Sequence, residues 1–150
     1  MLDTDPERLH SEVHSVVASI DDLAAETTFW TEVAGLELKS QFPIDVPAVS
    51  EFMMLPRHAP VKMSVMTGPG ALPPRFELVA YDDADGRLTP SRPLSAGALV
   101  PVFTVAGLDA FTDTLVAGGA SAGPTVVVDG THARWVRSPG GVDVELRERS

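Results

Sequence analysis

Residues 19–36 read SIDDLAAETTFWTEVAGL. A β-rich apolar run of Val13, Val16, Val17, Ala18 and Ile20 leads into this stretch. Asp21 and Asp22 end that run by offering an oxygen to the free amides of a following helix. In the helix Leu23, Phe29, Trp30 and Val33 fall near helical spacing, and Gly35 sits where a left-handed cap is wanted. The stretch predicts a strand, then a helix.

Reading outward, Leu36 to Phe42 predicts a strand, because Leu36, Leu38 and Phe42 are set off by polar residues. Pro43 to Pro60 holds four prolines and no steady period, so it predicts a connection with a hydrophobic knot of Phe52, Met53, Met54 and Leu55. Val61 to Thr67 and Arg75 to Tyr81 predict two further strands, with Gly68, Pro69, Gly70, Pro73 and Pro74 turning the chain between them. Residues 82–96 are polar and rich in turn formers and predict a linker; residues 1–11 predict a loose lead-in.

Beyond the linker the same order returns. Leu99 to Val105 predicts a strand. Asp109 to Val116 predicts a helix carrying Phe111 and Leu115, with Leu108 just before it and Gly118 and Gly119 to end it. Val126 to Val128, His132 to Val136 and Val142 to Leu146 predict three short strands, punctuated by Asp129-Gly130 and Ser138-Pro139-Gly140-Gly141. A shift of 85 residues lays Ile20 on Val105, Leu23 on Leu108, Trp30 on Leu115 and Ala34 on Gly119. Phe76-Glu77-Leu78 then falls on Val144-Glu145-Leu146, so each half ends in apolar-Glu-Leu. The chain is thus one domain of two diverged modules, about 12–83 and about 97–148, joined by a linker at about 84–96. The fold class is α+β.

Composition narrows the partners. A chain of 150 residues with 44% hydrophobic and 21% charged residues can bury a real core. Its formal net charge of -10 argues against nucleic acid and against an anionic membrane, both of which need a basic patch. With no cysteine there is neither a thiolate metal site nor a cysteine nucleophile. Met1 to Arg8 is unlike a secretory signal, so a cytoplasmic location is the expectation.

The segments Asp22-Leu23, Phe29 to Leu36 and Ser138 to Leu146 resemble the "DL…FYxxVLGL" and "DPxGxxxEL" patterns of the vicinal oxygen chelate superfamily, over roughly residues 12 to 148. That superfamily includes glyoxalase I, extradiol dioxygenases, methylmalonyl-CoA epimerase, fosfomycin-resistance enzymes and bleomycin-binding proteins. The resemblance implies two βαβββ modules forming a half-open barrel around a pocket, and a homodimer. It also implies a divalent metal held by residues of the first strand (usually His) and last strand (usually Glu) of each module. Here the Glu positions are filled by Glu77 and Glu145. The His positions fall on Ser15 and Val100, and valine cannot bind a metal. No cofactor is therefore expected; a divalent metal would need an unusual ligand set that brings in His14 through a bulge.

Strand alternation sets Glu77 with Val79 on one face and Leu78 with Ala80 on the other. Glu77 and Glu145 are accordingly the candidate catalytic pair, two carboxylates converging in an apolar cavity where one holds its proton for acid or base work. Ser15, Val17, Val79, Val100, Val102 and Trp135 are expected to line the site. Phe52, Met53 and Met54 are expected to cap it. His58 and His132 read as surface residues. The leading functional expectation is proton-transfer chemistry of isomerase, cyclase or lyase type on a small, largely apolar oxygenated molecule. Two alternatives stand beside it: a binder that sequesters a toxic compound or antibiotic, and a metal enzyme of glyoxalase or epimerase type.

Overall fold

The computed structural model describes residues 14–52, 59–71, 74–81 and 99–149, and of Phe52 the backbone alone. Residues 1–13, the His58 region with Met53 and Met54, and the expected linker lie outside the described residues.

The first module begins with strand β1 (Ser15–Ser19) and helix α1 (Leu23–Thr28). Asp22 caps that helix as expected, its Oδ1 accepting from the Ala25 amide at 3.0 Å. The helix then widens into a π-turn over Phe29–Val33, which Gly35 ends at a positive φ of 76°. Strands β2 (Glu37–Ile44), β3 (Val61–Thr67) and β4 (Arg75–Tyr81) complete the module. A short helix, α2 (Pro47–Phe52), occupies part of the connection that composition had marked only as a loop. Proline at its first position, where no amide hydrogen is needed, is the signal that was available.

The second module holds β5 (Val102–Val105), α3 (Leu108–Ala117), β6 (Ser121–Ala122), β7 (Val126–Val128), β8 (Thr131–Arg137) and β9 (Asp143–Glu148). It differs from the expectation in two places. The strand expected from Leu99 starts only at Val102, and Leu99 itself is exposed. The short strand β6 was not anticipated; it pairs Ser121 and Ala122 with Arg137 and Val136. Helix α3 has glycine, not an Asp or Ser, before its first turn. Its orphan amides are bonded instead by Glu148 of β9, whose Oε1 and Oε2 accept from Gly107 and Leu108 at 2.9 and 2.8 Å.

The strands form two open sheets, ordered β1-β4-β3-β2 and β5-β9-β8-β6, with β7 pairing β8. In each, the module's first strand runs parallel to its last, and the remaining pairings are antiparallel. One core serves both sheets. Leu23, Phe29, Trp30, Met66, Phe76 and Leu78 of the first module join Leu108, Leu115, Val136, Val144 and Leu146 of the second in a single buried cluster. Phe103 of β5 reaches across the boundary, stacked on Trp30 at 5.9 Å and edge-on to Phe76 at 5.8 Å.

Two contacts lock the modules together. Val33 and Gly118 are 85 residues apart and so occupy equivalent places in the two modules. They meet so closely that a Cβ on Gly118 would lie 2.5 Å from Val33 Cγ1. Nearby, Glu26 is 1% exposed and accepts two hydrogen bonds, from Trp30 Nε1 and from the Gly140 amide, both at 2.7 Å. Its carboxylate thereby ties α1 to the Ser138–Gly141 turn of the other module.

Candidate functional site

The core fixes which way each strand faces. Phe76 and Leu78 pack inward, so Glu77 and Val79 stand on the opposite side of the first sheet, away from the core. Val144 and Leu146 do the same for the second sheet and turn Asp143, Glu145 and Arg147 outward from the core. Glu77 and Glu145 are both partly buried on these far faces.

The pairing registers make the correspondence residue by residue. Glu77 lies between Val17 of β1 and Val65 of β3; Glu145 lies between Val102 of β5 and Trp135 of β8. Val17 and Val102 are thus equivalent, and they are 48% and 51% exposed, apolar side chains left open beside each carboxylate. Ser15 pairs with Arg75, two residues away from Glu77, and Val100 precedes β5. In the observed register the residue opposite each glutamate on its parallel neighbour is a valine, which has no lone pair to offer. His14 is exposed and alternates to the other side of β1 from Ser15 and Val17. Among the described residues no three His, Asp or Glu side chains converge. The donor set on these strands therefore does not fit a divalent-metal centre of two imidazoles and two carboxylates.

The two carboxylates differ in their partners. Glu145 Oε1 accepts from Arg147 Nε at 2.5 Å, a partner two residues along the same strand and on the same face. Across the sheet Asp143 takes a bidentate pair from Arg137, Nε and Nη2 each at 2.7 Å, and this pair raises the Arg137 pKa through that hydrogen bond. Arg137 in turn lies over the Trp135 ring, 5.5 Å from its centroid. Glu77 makes no side-chain hydrogen bond or ion pair among the described residues, and its strand neighbours are valines. Arg147 and Arg137 were missed from the sequence. The two-residue spacing of Arg147 from Glu145 on one strand would have revealed it.

Of the other expected lining residues, Val79 is on the far face but fully buried, whereas Trp135 is partly exposed there. Phe52 ends α2, and its side chain, like Met53 and Met54, lies outside the described residues. His132 is exposed and faces away from the glutamates. A cavity of about 680 Å³ opens elsewhere, on the helix side of the first sheet, where Leu23, Gln41, Pro43, Lys62, Ala80 and Tyr81 line it.

A sequence profile described as glyoxalase/bleomycin resistance protein/dioxygenase superfamily matches residues 12–146. The chain belongs to that superfamily. Its fold is shared by a glyoxalase family protein from Bacillus cereus, with a TM-score of 0.75, 20% identity and 97% of each chain covered. A glyoxylase/bleomycin resistance protein/dioxygenase domain from Frankia sp. EAN1pec gives 0.65 and 18% identity, covering 95% of this chain and 100% of that one. TnmS3, an antibiotic binding protein from Streptomyces sp. CB03234, gives 0.60 and 15%, covering 95% and 99%. A search of the curated proteins found no match. Among the described residues no helix is long and apolar enough to cross a membrane.

Proposed function

We propose that this superfamily member holds a small, largely apolar oxygenated compound against the far faces of its sheets, and that Glu77 moves a proton next to a carbonyl or hydroxyl of it. The observation that carries the reading is the Glu77 carboxylate, set between Val17 and Val65 and without a side-chain hydrogen bond or ion pair among the described residues. Arg75, two residues back on the same face, does not bond it, and a carboxylate that no donor engages keeps its lone pairs for a proton on the ligand. In the step itself a C–H bond next to the carbonyl breaks. Its proton goes to Glu77, its electron pair forms the C=C bond, and the former carbonyl π pair settles on oxygen as an enolate. Return of the proton at another carbon is isomerisation; loss of a leaving group instead is elimination.

The test uses aryl methyl ketones, 2-acetylnaphthalene among them, incubated in D2O with the protein and followed by proton NMR. The native chain is expected to speed loss of the methyl signal. Glu77→Gln should lower that rate by roughly 100-fold or more. Equal rates in the two proteins would refute the role. A second reading, pure binding, is supported by the exposed valines beside both carboxylates and by the fold shared with TnmS3. It holds if the native chain and both Glu77→Gln and Glu145→Gln bind the ketones alike and none exchanges a proton.

A further inference from the structure

The equivalent rows of the two modules carry different chemistry. Matching registers through the glutamates lays Val79 on Arg147, Val65 on Trp135, Met63 on Ala133 and Ser19 on Thr104. Both rows carry a hydroxyl, Ser19 and Thr104, but beside its glutamate the first module sets Val65 and Val79 where the second sets Trp135 and an arginine that bonds the carboxylate, Arg147.

Arg147 stands out in the second row. Only its Nε is engaged, by Glu145, and among the described residues its two Nη groups have no partner. Glu145 holds the Nε edge and leaves the Nη donors for other acceptors. The neighbouring acid, Asp143, is already taken by both nitrogens of its bond to Arg137, so it does not compete for them. Arg137 and the Trp135 ring beneath it form the rest of that wall.

Building on the far-face reading above, we infer that Arg147 is the specificity-determining residue of the site. It receives an acceptor oxygen of the ligand, a carbonyl or enolate conjugated to a flat apolar body that lies along Val102 and Trp135. Glu145 is then a positioning residue for Arg147, and the two equivalent glutamates have separate tasks. An acceptor oxygen is selected because a ligand without one leaves charged donors desolvated and unpaired.

The test compares 2-acetylnaphthalene with 2-ethylnaphthalene, equal in shape but lacking the oxygen, by equilibrium titration of tryptophan fluorescence. The ratio of their affinities is measured in the native chain, in Arg147→Met and in Arg147→Lys, with circular dichroism confirming that each variant is folded. The ratio is expected to shift against the ketone by about tenfold in Arg147→Met and by less in Arg147→Lys, as loss of one charge-assisted hydrogen bond requires. An unchanged ratio with both probes still bound overturns the Arg147 assignment and leaves the far-face site intact. Binding of neither probe to the native chain overturns both. Proton exchange plays no part in this readout, so failure of the Glu77 chemistry is scored separately.

Discussion

Replacing Glu26 tests how the two modules are held in register. The carboxylate is 1% exposed and accepts from Trp30 Nε1 and the Gly140 amide at 2.7 Å each. In Glu26→Ala both donors lose their acceptor. A stranded buried donor costs about 1–3 kcal/mol; Trp30 is fully buried and falls at the upper end, whereas the turn amide of Gly140 can find water and falls at the lower. The missing side-chain carbons add about 1 kcal/mol of lost packing, and release of a buried carboxylate without a cation offsets part of the sum. The net loss is about 2–4 kcal/mol. For a chain of this size that corresponds to a fall in Tm of roughly 5–15 °C. Glu26→Gln keeps the volume and one acceptor oxygen but turns an NH2 toward one of the two donors, and should cost about 1–2 kcal/mol. Urea unfolding followed by tryptophan fluorescence, with the slope checked for constancy, gives both values. A double-mutant cycle makes the test sharper. A Cβ at Gly140 would lie 2.7 Å from Glu26 Cδ, so Gly140→Ala is destabilising in the native background and should cost less once Glu26 is alanine. A Glu26→Ala loss under about 0.5 kcal/mol, or a Gly140→Ala cost independent of residue 26, would refute the latch.

Two further predictions concern a contact between the modules and a helix cap within the second. Gly118→Ala forces a methyl against Val33 and should lower stability by about 1–3 kcal/mol, most of it recovered in Gly118→Ala with Val33→Ala; calorimetry reads both. Glu148→Ala leaves the Gly107 and Leu108 amides without their acceptor and should cost about 1 kcal/mol by urea unfolding, with Glu148→Gln retaining part of it.

Much of the architecture was legible because local rules and the fold agree. Val61–Thr67 and Arg75–Tyr81 were predicted to the residue, since a buried strand bounded by turn formers leaves little choice of ends. Asp22 and Gly35 did what aspartate and glycine do at helix ends. The strand expected from Leu99 was too long because Pro101, although its carbonyl is bonded by the Glu145 amide, has no amide hydrogen to carry the ladder further. The Glu77 and Glu145 correspondence was likewise visible, through the repeat.

What the sequence determined by itself was the order of elements, the duplication and the identity of the two glutamates, all properties of residue type and spacing along one chain. Tertiary structure decided their inequality. Arg147 bonds Glu145 while Val79 takes the matching place near Glu77, and which face of each strand is turned from the core was settled only by packing. It also decided how the halves join: Glu26 finds Gly140 at a separation of 114 residues, and Val33 finds its own equivalent, Gly118. Contacts at such distances are set by the packing of the shared core, and no local pattern encodes them.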